Sequence, residues 1–291
     1  MQHLPAERAA LPEIGLCYAA LGNSRSTASL EYTPGSHLLL WMPYGSLALE
    51  LTTGRSAGTV YLLANDLLLL PPGSRIRIVH QFVESPLHCL CIDREAFLTA
   101  PPAARFPDST NSGLIRSLLS RRPRHFYDPD TAEAVGWIRT LTEDLSRGYG
   151  SWQPALCWAD AARLLLCCGQ MRCSHFHLCR TGGQADTLAW VLHYIQENYA
   201  TASLEETARN LHYNAEYLSQ MLTRCTGRSF TDLLAARRAA VGRELLARQE
   251  LSLGEIAALL GYRSYSGFFR SFRKSTGLSP SEYRRRLGLH G

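Results

Sequence analysis

Lysine is almost absent from this 291-residue chain, since Lys274 is the only lysine among the 30 Lys and Arg residues. Nearly every cation is therefore a guanidinium, which suits paired hydrogen bonds to phosphates or base edges but is also what a GC-rich genome produces. No apolar run approaches the roughly 18 residues that a membrane span needs. The first residues, MQHLPAERAALPE, lack the basic region and apolar core of a signal peptide, so we expect a cytoplasmic protein without a membrane partner.

The length and composition suit a protein of two domains. Apolar residues make up 46% of the chain, which is enough for packed cores. The formal net charge is +5, and most of the excess of basic residues lies after residue 185. A basic excess concentrated in one part of a chain is typical of a surface that neutralises phosphates.

The strongest local pattern lies near the C-terminal end, in SLGEIAALLGYRSYSGFFRSFRKSTGLSPSEYRRR. Ser252 and Glu255 have the spacing of a capping box, which predicts a short helix that ends at Gly261. A second helix is predicted from Ser264 to Thr276, with a basic outer face. Its buried positions are Phe268 and Phe272. A helix, a turn with glycine and a basic second helix form the layout of a helix-turn-helix unit, whose second helix enters a major groove.

The same layout occurs about fifty residues earlier, which predicts a tandem repeat. At an offset of 49, Leu204, Ala208 and Leu211 correspond to Leu253, Ala257 and Leu260. After one extra residue the offset is 50, so the second helix of the first unit is predicted from Asn214 to Cys225. The stretch Ser229 to Arg248 reads as one connecting helix of roughly 30 Å, close to the roughly 34 Å turn of B-DNA. One chain could therefore reach two successive major grooves.

The segment GYRSYSGFFRSFRKSTGLSPSEYRR resembles the signature of AraC/XylS-type transcription regulators, and the resemblance extends over about Asp186 to Leu287. It implies a seven-helix DNA-binding module with two recognition helices, usually in a transcriptional activator that contacts RNA polymerase. The chain departs from the pattern at Phe269, where the family commonly has a small hydroxyl residue near a phosphate. We therefore assign no such contact to Phe269.

The outer faces of the two predicted recognition helices supply the candidate DNA contacts. The candidates for reading base edges are Glu216, Ser219, Gln220, Thr223, Tyr265, Ser266, Gly267 and Arg270. The candidates for phosphate contacts are Arg224, Arg263, Arg273 and Lys274. We expect Arg270 to make a paired contact to guanine, and a phosphate contact is the alternative.

From Leu16 to Ile92, short apolar segments alternate with glycine and proline turns, which predicts an antiparallel β-barrel or sandwich. The run DLLLLPPG is similar to a strand and turn of the cupin-like sensor domains that often precede this DNA-binding module. The histidines here lack the His-x-His pattern of a metal cupin, so we expect no cofactor. If the barrel holds a small-molecule effector, the polar candidates at its mouth are His37, Trp41, Tyr44, Arg75, Arg77 and His80. The alternatives are that these are ordinary barrel residues, or that the domain binds a regulatory protein.

Two helices are predicted between the barrel and the DNA-binding module, from Asp128 to Arg147 and from Pro154 to Met171. Apolar residues in the first recur at spacings that a helix pair buries, and these are Ala134, Ile138, Leu141 and Leu145. This stripe is the candidate surface for a homodimer, and packing against the barrel is the alternative. The sequence RTGGQ, residues 180–184, is the expected linker.

A cluster of cysteine and histidine residues surrounds the end of the second helix: Cys167, Cys168, Cys173, His175, His177 and Cys179. The nine cysteines of a cytosolic chain should be reduced, so metal binding, redox sensing and simple packing are open. The spacing lacks the C-x-x-C pair of standard zinc sites, which favours packing. An enzymatic alternative, a methyl acceptor of DNA repair, would need an activated thiolate that only this cluster could supply. We expect no catalytic residues.

These patterns predict an α+β chain with three regions. Residues 1–110 form a cupin-like sensor domain, residues 111–180 a helical linker and dimerisation region, and residues 181–291 the AraC-type module. The predicted function is sequence-specific DNA binding in transcription regulation. The expected partners are double-stranded DNA, RNA polymerase, a second copy of the chain, and either a small-molecule effector or a regulatory protein.

Overall fold

The structure is a computed structural model that describes residues 7–21, 29–31, 36–43, 45–82, 87–100, 110–120, 122–127, 131–147, 150–171, 178, 185–248 and 250–287. Two units can be separated. Unit 1 comprises Met1–Tyr127 and Thr131–Arg180, and unit 2 comprises Asp128–Asp130 and Thr181–Gly291. The described helices of the predicted middle region therefore belong to unit 1. The chain is an α+β protein, as the sequence predicts.

Unit 1 contains two antiparallel sheets in its described residues. The strands are β1 Glu7–Leu11, β2 Leu16–Leu21, β3 Ser29–Glu31, β4 Ser36–Trp41, β5 Ser46–Thr53, β6 Ser56–Leu63, β7 Leu67–Leu70, β8 Arg75–Phe82, β9 Leu87–Asp93 and β10 Arg124–Phe126. The larger sheet has the order β1-β2-β9-β4-β7-β10, and the smaller has the order β3-β8-β5-β6. β2 to β9 occupy the region where the sequence predicts strands, whereas β1 and β10 lie outside it.

The alternation of side chains along each strand divides the core of unit 1 into two layers. Leu38 and Leu40 of β4 lie between the two sheets, together with Leu47 and Leu49 of β5. Trp41 belongs to the other layer, where the larger sheet packs against helices. Both faces of β4 are therefore covered, which explains why the four residues from Leu38 to Trp41 are all apolar.

The helices of unit 1 are α1 Arg94–Thr99, α2 Thr110–Leu118, α3 Ala132–Arg147 and α4 Gln153–Gln170, with 3-10 turns at Pro12–Ile14 and Gly150–Trp152. The predicted dimerisation stripe lies on α3, and its residues are 0–4% exposed: Ala134, Ile138, Leu141 and Leu145. They pack in one core with α4 and the larger sheet. The stripe is therefore interior to unit 1 and not a dimerisation surface, because a helix face that packs in a core has the same spacing as one that packs against a second chain.

The helices of unit 2 are α5 Ala185–Glu197, α6 Leu204–Asn210, α7 Ala215–Thr226, α8 Phe230–Leu246, α9 Leu253–Leu259, α10 Tyr265–Thr276 and α11 Pro280–Arg286. The predicted capping box at the start of α9 is present, since Ser252 pairs with Glu255. A second capping box, between Ser279 and Glu282, begins α11. None of the helices in the described part of the chain combines the length and apolar character that crossing a bilayer requires.

Candidate nucleic-acid interface

The two recognition helices are called reading helices here, and the first of them is α7. It begins directly after Asn214 and ends at Thr226, one residue beyond the predicted end at Cys225. The side chain of Asn214 accepts a hydrogen bond from the backbone N–H of Glu216 at 2.7 Å, and Gly227 ends the helix in the left-handed conformation. One face of α7 is buried, and it consists of Leu218, Met221, Leu222, Cys225 and Thr226. The predicted base-reading residues lie on the other face: Glu216, Gln220 and Thr223 are exposed and Ser219 is half-buried.

Two hydrogen bonds organise the outer face of α7. Gln220 donates through Nε2 to Glu216 Oε1 at 3.4 Å, one turn earlier. Thr223 donates its hydroxyl hydrogen to the carbonyl oxygen of Ser219 at 3.0 Å. The Gln220 amide still has a free carbonyl oxygen and a second N–H, so it can both donate and accept at a base edge.

The second reading helix, α10, has the same construction. Ser264 accepts a hydrogen bond from the backbone N–H of Gly267 at 3.2 Å, and Gly277 ends the helix. Phe268 and Phe272 are 1% exposed and form its buried face. The predicted contact residues Tyr265, Ser266, Arg270, Arg273 and Lys274 are exposed, and Gly267 is half-buried. Phe269 is half-buried, and its ring lies edge-on to that of Tyr265 with 6.1 Å between the ring centroids.

The turns before the two reading helices correspond residue by residue. The backbone N–H of Tyr213 donates to the carbonyl of Ala208, and that of Tyr262 donates to the carbonyl of Ala257, both at 2.9 Å. The preceding residue has a positive φ in each turn, +58° at His212 and +77° at Gly261. The tandem repeat is therefore present in the structure, with histidine in the first turn where the second has glycine.

The predicted phosphate-contacting side chains are all exposed. Arg224 lies at the end of α7, Arg263 in the turn before α10, and Arg273 and Lys274 on α10. Within the described residues, Arg263, Arg270 and Lys274 have no ion-pair or hydrogen-bond partner. Their charges are thus available to an external anion.

The connecting helix α8 forms one wall of a groove whose other wall is the outer face of α10. Its 17 residues span about 25 Å at about 1.5 Å per residue. A groove of about 530 Å³ runs between the first turns of α8 and the outer face of α10. Its lining residues are Arg228, Thr231, Asp232, Ala235, Ala236, Gly267, Arg270, Ser271, Lys274 and Ser275. Because Arg228 follows α7 by two residues, the end of the first reading helix and the outer face of the second border one groove.

Two arginines of unit 2 link its helices through hydrogen bonds to distant backbone carbonyls. They were not identified from the sequence. Arg238 of α8 donates to the carbonyls of Tyr199 at 2.7 Å and Ala200 at 3.2 Å, and lies over the ring of Tyr262. Arg284 of α11 donates to the carbonyl of Leu251 at 2.8 Å. Both are half-buried and bind backbone carbonyls of the turns between helices. No local sequence signal distinguishes them from the exposed arginines.

The four predicted effector residues whose side chains the structure describes do not line one pocket, so the prediction of a single pocket is wrong for these four. His37 and Trp41 are each 3% exposed and face the helices rather than the space between the sheets, and His37 donates through Nε2 to the carbonyl of Ser120. Burial lowers the pKa of His37. Arg75 and Arg77 are exposed on the smaller sheet, where Arg77 pairs with Glu50. Tyr44 and the side chain of His80 lie outside the described residues.

A polar cluster that the sequence did not reveal lies on the helix-facing side of the larger sheet. The hydroxyl of Tyr18 and Nδ1 of His88 share a hydrogen bond of 2.5 Å, and the centroid of the His88 ring lies 4.5 Å from that of the Trp41 ring. Burial, and to a smaller extent the nearby Arg139 guanidinium, lower the pKa of His88 to about 4. His88 is therefore neutral at physiological pH.

The described cysteines of the predicted cluster pack in the core of unit 1. Cys168 is buried and Cys167 is half-buried. Burial raises the pKa of Cys167, and Glu133 raises it further, so a reactive thiolate is disfavoured there. Cys173 and Cys179 lie outside the described residues, as do the two histidines. Among the residues that are described, no three His, Cys, Asp or Glu side chains are grouped to hold a metal ion.

Comparison with known proteins identifies the family of the helical module. A family model described as a helix-turn-helix domain matches residues 207–286, which include both reading helices. The regulatory protein SoxS of Escherichia coli is 30% identical over 102 residues, which are 35% of this chain and 92% of SoxS. The chain belongs to the AraC/XylS family of transcriptional regulators.

Other relatives in the AraC/XylS family match over a similar stretch. The HTH-type transcriptional regulator YtdP of Bacillus subtilis is 34% identical over 100 residues, which are 34% of this chain and 13% of YtdP. The melibiose operon regulatory protein of Escherichia coli is 32% identical over 96 residues, which are 33% of this chain and 32% of that protein. The chain thus spans a third or less of the length of these two relatives.

Proposed function

We propose that this protein is a sequence-specific DNA-binding regulator that activates transcription. One observation carries the proposal: α7 and α10 are equivalent helices with exposed polar faces, and they belong to one module with a shared cationic groove. Side chains that can donate to and accept from base edges lie on those faces. Arg263, Arg270 and Lys274, which have no partner within the described residues, lie on α10 or in the turn before it. This combination suits a duplex, in which base edges lie between two rows of phosphates.

In this proposal the two helices read successive major grooves. Gln220 suits adenine and Glu216 suits cytosine, while Arg270 makes a paired contact to guanine. Arg224, Arg263, Arg273 and Lys274 contact phosphates and set the register of the protein on DNA. The proposal contains no catalytic step, and its output is recruitment of RNA polymerase.

Unit 1 supplies the regulatory input. The side chains between its two sheets are aliphatic, and Leu40, Leu49 and Leu62 are among them. An effector that enters this layer would be apolar. Such a ligand should raise the melting temperature of the protein, because it binds only the folded state.

A protein partner is the second candidate input, and one observation favours it. Trp152 is 74% exposed and Leu156, one turn later at the start of α4, is 44% exposed. Exposed large apolar side chains next to each other are typical of contact surfaces. A homodimer would likewise need a surface other than the buried stripe of α3.

The proposal is tested by selecting duplexes from a random library with the purified full chain. We expect enrichment of sites with two conserved segments, and affinity that falls steeply with salt concentration. Absence of an enriched sequence, with affinity independent of salt, would contradict the proposal.

A further inference from the structure

The groove between α8 and α10 is lined by polar side chains that are not among the candidates for reading bases. Its α10 wall carries Arg270, Ser271 and Lys274, and its α8 wall carries Thr231 and Asp232. Of the two walls of this groove, only the one formed by α10 was expected to contact DNA. The other wall belongs to the connecting helix, whose predicted role was that of a spacer.

The charges in the groove are unbalanced in favour of cations. Arg270 and Lys274 lie one turn apart on α10, and neither has a partner within the described residues. Asp232 is the one acid in the lining, and its Oδ2 atom accepts hydrogen bonds from the hydroxyl of Ser229 at 2.5 Å and from the Ser229 backbone N–H at 3.3 Å. Its carboxylate is therefore engaged at the start of α8, while the two cations remain available.

Hydroxyl donors lie on both walls. Ser271 accepts a hydrogen bond from the hydroxyl of Tyr262 at 2.8 Å, which leaves its own hydroxyl hydrogen available. Thr231 is exposed in the first turn of α8. Ala235, Ala236 and Gly267 are small, so the walls leave room for a group about as large as a nucleotide. Cations and hydroxyl donors together suit a phosphodiester.

We propose that this groove holds the sugar–phosphate backbone of one DNA strand, so that α8 is part of the interface and not only a spacer. Thr231 and Ser271 donate to phosphate oxygens from opposite walls, and Lys274 neutralises the charge. This inference rests on the proposed DNA-binding function, because the strand is the one that passes between the grooves read by α7 and α10. It assigns to Thr231 and Ala235 a position beside DNA that the sequence did not suggest.

The experiment introduces a charge into the groove at Ala235 in the full chain and measures binding to a selected duplex and to an unrelated duplex. Ala235→Glu should weaken both by about tenfold or more and leave the preference between them unchanged, because phosphate contacts are independent of sequence. Ala235→Lys should steepen the dependence of log affinity on log salt by about 0.9, the value for one added phosphate contact. Thr231→Val, which removes only the hydroxyl, should weaken both duplexes by several-fold.

The matched controls are Ala247→Glu and Ala247→Lys, which make the same charge changes just after the opposite end of α8. They should change affinity by less than twofold. Circular dichroism establishes that each variant is folded, and Thr231→Val provides an independent test because Thr231 is exposed. If the Ala235 and Ala247 variants bind equally, and Thr231→Val has no effect, the inference is wrong while selective binding by the parent protein would still support the proposed function.

A free anion is the other possible source of a phosphate in this groove. Inorganic phosphate is titrated while the amide resonances of Thr231 and Ser271 are followed by NMR. If phosphate shifts these resonances while the Ala235 variants bind DNA like the parent protein, the groove is a site for a free anion and the inference is overturned. If the parent protein binds no duplex selectively, it is the proposed function that fails.

Discussion

Gly261 lies directly against the backbone of Ala200: a Cβ atom at Gly261 would be 1.8 Å from the carbonyl oxygen of Ala200. The same carbonyl accepts a hydrogen bond from Arg238 of α8. The turn of the second helix-turn-helix unit is thus fixed to the segment after α5 and to the connecting helix. The position and orientation of α10 depend on this contact.

Gly261→Ala should therefore lower the free energy of unfolding by about 3 kcal/mol or more. The positive φ is unfavourable for alanine, and its Cβ atom would overlap with the backbone of Ala200. The matched variant is His212→Gly in the equivalent turn, where the side chain is exposed and φ is also positive. It should leave stability unchanged or raise it by up to about 1 kcal/mol. Urea unfolding followed by circular dichroism measures both, and equal losses would show that the close contact at Gly261 is not what fixes the turn.

Gly267 separates the requirements of folding from those of binding. A Cβ atom there would be 3.6 Å from Ser264 Oγ and 3.8 Å from Tyr262 Cδ1, so the fold has room for alanine. Gly267→Ala should stabilise α10 by up to about 1 kcal/mol, since glycine is a poor helix former. We expect it to weaken DNA binding nevertheless, because glycine in a reading helix allows close approach of the backbone. Unchanged affinity in a gel-shift titration would show that DNA does not approach this position.

Arg270 and Lys274 lie on the same face of α10 but should act differently. Arg270→Ala should cost about 1–3 kcal/mol of binding free energy and relax the preference at one base pair. Lys274→Ala should weaken all duplexes alike and reduce the salt slope by about one. Competition between single-base variants of the selected site, at several salt concentrations, distinguishes the two effects. An unaltered base preference in Arg270→Ala would leave Arg270 as a phosphate contact.

Asp160 makes the stability of unit 1 depend on pH. Its side chain is 8% exposed, and burial together with a hydrogen bond to Asp144 raises its pKa. The folded state therefore holds this proton more tightly than the unfolded state, so the stabilisation is present at low pH and is lost as pH rises through the raised pKa. Asp160→Asn should make unfolding less dependent on pH and should stabilise the protein at neutral pH.

The control for Asp160 is Glu143→Gln, which changes an exposed carboxylate of α3 that pairs with Arg147. It should leave the pH dependence of unfolding almost as it is in the parent protein. Urea unfolding between pH 4 and pH 8, followed by tryptophan fluorescence, compares the three proteins. Parallel curves for Asp160→Asn and the parent protein would contradict the account.

The sequence predicted unit 2 well because its signals are local. The Ser252–Glu255 capping box and the stop at Gly277 are each set by residues a few positions apart, and repetition confirmed the pattern. The contacts of Arg238 and Arg284 were missed because they join residues more than thirty positions apart.

Unit 1 was predicted less well because strands such as β4 are buried on both faces. The run from Leu38 to Trp41 is apolar throughout, so alternation does not reveal that Trp41 faces the helices and Leu40 the second sheet. The stripe containing Ile138 has a spacing that suits a second chain as well as a core, and only the tertiary structure decides between them.

The most direct test of the account is a hydroxyl-radical footprint of the full chain on a selected duplex. Two equivalent reading helices in one module should protect two segments centred about 10 base pairs apart on one face of the DNA, with α8 covering the backbone between them. Arg270→Ala should reduce protection of one segment more than the other. Protection of a single segment, unaffected by changes in α7 or α10, would contradict the claim that one chain reads two successive major grooves.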